Sequence, residues 1–101
     1  MLSRMKLSSS RGSLNPQQKL QIALSHLENA SKAKDPVIAK AMCHDAEVSL
    51  SQARKAVKKP KEHAALIQEI ATAYIDLGKL LESLNHVSEA QAIFKKAKKL
   101  G

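Results

Sequence analysis

Aromatic side chains are almost absent. One Tyr, one Phe and no Trp stand among 101 residues, and aromatics make up 2% of the chain. A core here must be built from Ala, Leu, Ile and Val. The same scarcity leaves little for stacking against bases, the usual means of holding single-stranded nucleic acid. Gly and Pro number three each, too few for the many turns of a sandwich or barrel. The single cysteine, Cys43, excludes an intramolecular disulfide and suits a reducing compartment. No apolar run approaches the roughly 20 residues of a bilayer-crossing helix.

Chemical motifs are missing as well. There is no CxxC, no HExxH, no phosphate-cradling glycine loop and no Gly-x-Ser-x-Gly. His26, His44, His63 and His86 fall on different predicted helices or turns. Cys43, His44 and Glu47 are close in sequence, but adjacent residues diverge on a helix. The expectation is no catalytic site, no metal and no cofactor, with Cys43 a buried structural thiol.

What the chain does have is positive charge. Seventeen Lys and Arg oppose nine Asp and Glu, a net charge of +8. Arg4, Lys6 and Arg11 lie in residues 1–14, a Ser- and Arg-rich stretch without an acid, expected to be a disordered basic tail. A mitochondrial targeting segment has the same composition. A second cluster is Arg54, Lys55, Lys58, Lys59 and Lys61, and a third is Lys95, Lys96, Lys98 and Lys99. Lysines in a last helical turn also complement the helix dipole, so part of this clustering has a structural cause.

The three prolines mark helix starts. Asn15-Pro16 sets an N-cap before a proline in the first helical position, and Gln18 stands where a capping-box side chain belongs. Asp35-Pro36 repeats the arrangement, and Lys59-Pro60 stops whatever helix precedes it. Asn85-His86 signals a fourth start. The expected helices span about 16–33, 37–58, 61–84 and 87–99. Each has a three-four apolar stripe, such as Leu20, Ala23, Leu27 and Ala30 in the first. Short connections make successive helices antiparallel. The expected fold for residues 15–101 is therefore all-α, four helices as two stacked antiparallel α-hairpins. A weak internal repeat pairs Ala46 with Ala90, Leu50 with Phe94 and Ala53 with Ala97, an offset of 44 residues.

Within residues 71–101, Tyr74 is followed by Leu77-Gly78 and Leu81, then by Ala90, Phe94 and Ala97. This spacing resembles one tetratricopeptide repeat. The aromatic the family has at the position of Leu81 is missing, as is its closing Pro. Gly78 inside a helix costs about 1 kcal/mol relative to Ala, and close helix approach is the expected offset. Gly78 is expected to face Ala90, with Tyr74, Leu77 and Leu81 packed around Phe94 and Ala97.

The resemblance implies a non-enzymatic scaffold that binds another protein or peptide. By the family's use of its inner helices, Thr72, Ile75, Lys79 and Glu82 would face the partner. Ile75 lies off the apolar stripe of its helix, so it either contacts the first helix or belongs to an exposed patch. Arrays of this family need several repeats, so the chain is also expected to self-associate or to be an accessory segment of a longer protein. The alternative reading makes the basic clusters a surface for nucleic acid or an anionic membrane. The expected compartment is the cytoplasm, with the mitochondrion as the alternative.

Overall fold

The computed structural model describes residues 15–100. The basic tail expected over 1–14 lies outside the described residues. Among those described, the chain is all-α: α1 Pro16–Lys32, α2 Pro36–Ala56, α3 Ala64–Ser83 and α4 Val87–Leu100, with a short 3-10 turn at Pro60–His63 leading into α3.

The ends of these helices follow from local chemistry. In α1 the Asn15 side chain accepts from the Gln18 N–H at 2.8 Å, and the Asn15 N–H donates to the Gln18 side chain at 3.0 Å. Asp35 caps α2 by accepting from the Val37 N–H at 2.9 Å. Pro60 does not begin α3 directly. Its first turn is the 3-10 turn, so α3 is 20 residues long, near 30 Å. Asn85 turns out to close α3 rather than open α4. It has φ 70, and the Asn85 and His86 N–H groups donate to Glu82 and Leu81 carbonyls, each at 2.9 Å. This is a Schellman closure, with Asn in the left-handed position usually given to Gly.

The core repeats every seven residues on every helix. It uses Leu20 and Leu27 with Ala23 and Ala30 on α1, and Ala39, Ala46 and Ala53 with Cys43, Leu50 and Val57 on α2. On α3, Ile67, Tyr74 and Leu81 run beside Ile70 and Leu77; α4 contributes Ala90 and Ala97. Sevenfold spacing on neighbouring helices favours shallow crossings of about 20°. Alanine at every second position lets the helices of each hairpin lie close.

α1 packs on α2 and α3 on α4, and α3 also lies against α1 and α2, so the second hairpin stacks on the first. The result is a slab 47 × 34 × 16 Å. The ends of α2 and α4, Ala56 and Leu100, lie 44 residues apart, and their starts lie 51 apart because α2 is seven residues longer.

Gly78 also has a different neighbour from the one expected. A Cβ placed on it would stand 2.8 and 2.9 Å from the Cδ1 and Cζ atoms of Phe94. The missing side chain makes room for an aromatic ring, not for the small Ala90.

Candidate interaction surfaces

Three surfaces are built from this stack. The first is the stripe Thr72, Ile75, Lys79 and Glu82 on α3, all of it exposed. Ile75 is 39% exposed, which settles its alternative: it does not pack under α1. The Thr72 hydroxyl is already used, donating to the Gln68 carbonyl of its own helix at 3.0 Å. The stripe is flanked by two depressions. One, near Thr72, is lined by Leu24 of α1 together with Gln68, Ala73 and Asp76 of α3.

The other flank is the second surface. Ile75, Ala71 and Gln68 of α3 and Phe94, Ala97 and Lys98 of α4 enclose an apolar groove of about 380 Å³. Phe94 is half-buried, whereas Tyr74, Leu77, Gly78, Leu81, Ala90 and Ala97 are buried. The repeat-like residues therefore build the hairpin, and Phe94 and Ala97 among them also line this opening. Helices α3 and α4 alone line it, whereas α3 itself packs against both helices of the first hairpin.

The third surface is the seam between α2 and α4, where two sequence-distant basic clusters meet. Arg54, Lys55, Lys96 and Lys99 line one cleft with Ser51 and Tyr74. The Lys96 ammonium donates to the Glu47 carboxylate, and Lys40 pairs with Glu89 at 2.8 Å. The rest of the basic set is dispersed. Lys59 pairs with Glu62 at 3.7 Å, Lys61 sits beside Pro60 and Ile67, and Lys98 is on the apolar groove. Lys58 and Lys95 are exposed.

The perturbed groups lie along this seam. The Lys40 hydrogen bond holds the Glu89 carboxyl below the usual carboxylate range. Burial raises the Cys43 thiol, so it stays protonated and unreactive at neutral pH. Burial, reinforced by the Glu47 charge, raises the Tyr74 phenol. Among the described residues, no three His, Cys, Asp or Glu side chains converge as a metal ion would require. No helix among them is long and apolar enough to cross a membrane.

Sequence reasoning did not identify Gln68, Ala71, Ser51 or Glu47 as parts of these surfaces. A signal existed for the last two. Lys40, Glu47, Ser51 and Arg54 fall on one face of α2 at intervals of seven, four and three. No family model, curated protein or solved structure matches the chain.

Proposed function

We propose that the chain is a non-enzymatic, tetratricopeptide-like interaction module that docks an amphipathic helix of a partner protein in the α3–α4 groove. The observation that carries this is the groove itself: an apolar opening of about 380 Å³ between two helices of one hairpin. α3 shows what such an occupant looks like. It lies across the first hairpin with an apolar face inward, and its outer face carries Glu69, Asp76 and Glu82 against a single Lys79. Lys98 on the rim of the open groove favours a helix with acidic flanks. Of the exposed stripe Thr72, Ile75, Lys79 and Glu82, Ile75 lines the same opening, and the others would meet the partner's edge. The buried lone thiol of Cys43 is consistent with a reducing compartment, the cytoplasm in this reading.

The test uses a peptide of residues 64–83, labelled for fluorescence anisotropy, as a surrogate helix. It should bind the protein, and Ile75→Asp should weaken binding by about tenfold, the scale of losing one buried apolar contact and adding a charge. The combined Gln variant of Lys58, Lys59, Lys95 and Lys96 should change it little. Loss of binding in the Gln variant alone, with steep weakening by salt, would instead favour the electrostatic alternative.

A further inference from the structure

The groove side of α3 and α4 carries a pattern that complements itself. On α3, Gln68, Ile75 and Glu82 follow at intervals of seven, which holds them on one face of the helix. On α4, Val87 stands seven residues before Phe94, and Lys98 follows Phe94 by one turn. Ile75 and Val87 are exposed and Phe94 is half-buried, so an apolar line crosses the face. Lys98 lines the groove together with Gln68, in the first turns of α3, whereas Glu82 stands one residue before the end of that helix. The two charges thus occupy diagonal corners of the face, with Ile75 and Phe94 between them. Neither makes an ion pair with a described residue. Lys79 is turned about 100° from Gly78, the residue against Phe94, and Glu82 only about 40°, so Glu82 is the charge nearer to α4.

Opposite charges at diagonal corners and an apolar middle fit a copy of the same face. A two-fold axis lying across that diagonal sets Lys98 of each copy against Glu82 of the other, twice over, and brings the two Ile75 side chains toward the centre. We propose that the α3–α4 groove is filled by α3 of a second copy of this chain, the two copies pairing about that axis. This rests on the reading of the groove as a helix-docking site and names its occupant. Docking an unrelated partner would not require the two corners of the face to match each other in charge.

The size of the face sets the strength of the pairing. Helices of 20 and 14 residues are about 30 and 21 Å long and roughly 10 Å across. They offer about 500 Å² per copy, or about 1,000 Å² for the pair, at the low end of specific interfaces. The dimer should therefore form reversibly, with roughly micromolar affinity, and not as an obligate unit. The net charge of +8 opposes association. Its effect on this face is limited, because Arg54, Lys55, Lys96 and Lys99 gather at the α2–α4 seam instead.

The experiment is sedimentation equilibrium of the whole chain from about 5 to about 500 μM, at about 0.15 M salt, where repulsion beyond about 8 Å is screened. A monomer–dimer equilibrium is expected. Ile75→Asp should leave a monomer. Glu82→Lys and Lys98→Glu should each weaken pairing about tenfold or more, since each turns two attractions into two repulsions. All three positions are exposed, so the variants should keep the helix content of the wild type in circular dichroism. An equimolar mixture of Glu82→Lys and Lys98→Glu should regain wild-type affinity, because the mixed dimer has opposite charges at both junctions. A dimer indifferent to Ile75→Asp would overturn the pairing, as would charge variants that do not recover on mixing. A chain that stays monomeric yet still binds the peptide of residues 64–83 would overturn the pairing and leave helix docking standing. A chain that neither pairs nor binds the peptide would remove both.

Discussion

At the scale of single residues, Gly78 and Phe94 make one unit. The ring occupies the space a side chain at Gly78 would need. Gly78→Leu should therefore destabilise by about 1–3 kcal/mol through overpacking, whereas Lys79→Leu, on an exposed position, should change thermal stability little. The sharper test is a double-mutant cycle. In the wild-type background Gly78→Ala sets a methyl group against the ring, and its cost should cancel or exceed the gain in helix propensity. In a Phe94→Ala background the same change should stabilise by up to about 1 kcal/mol, because only the propensity gain remains. Equal effects in the two backgrounds, read from denaturant midpoints, would separate Gly78 from Phe94. Cys43 offers a second residue-scale test. It is buried and its thiol is held protonated, so Ellman's reagent should react only as fast as the fold opens, and reaction should accelerate at the unfolding transition. Rapid reaction in native buffer would contradict the packing of α2.

At the scale of helices, the α2–α4 seam carries a pH dependence whose sign is fixed. Glu89 is held below the ordinary carboxylate range by Lys40, so the folded state favours its charged form. The stability this adds is present above the unfolded-state pKa and disappears as pH falls through the folded-state value. Glu89→Gln should thus narrow the stability gap to wild type as pH drops below the carboxylate range, and leave it unchanged between pH 6 and 8. The pair is exposed, so the effect on urea midpoints should be small. The elements themselves were legible in sequence. Asn15-Pro16 and Asp35-Pro36 announced α1 and α2 within a residue, because capping chemistry is local. What was illegible depended on the partner across a gap. The Gly78 contact was misassigned for that reason: periodicity names the face a residue occupies, but not which side chain of the neighbouring helix reaches it.

At the scale of the whole molecule, the second hairpin presents its apolar groove on one flank of α4 and Lys96 and Lys99 on the other. The stripe Thr72, Ile75, Lys79 and Glu82 was named from the tetratricopeptide resemblance and is exposed, and Ile75 stood out as an apolar residue off the core stripe. Gln68, Ala71 and the opening beside Phe94 were not, because a groove is a property of two helices and exists only once their crossing is set. The grouping of Arg54 and Lys55 with Lys96 and Lys99 was hidden in the same way, across some forty residues of chain. The measurement that tests the central claim most directly is a backbone amide NMR titration of the whole chain with the peptide of residues 64–83. Docking in the α3–α4 groove predicts shift changes that cluster at Gln68, Ala71, Ile75, Phe94 and Ala97, with little change at Ser51 and Arg54 across α4. Changes centred on Arg54, Lys55 and Lys99, or none at saturating peptide, would contradict the helix-docking account.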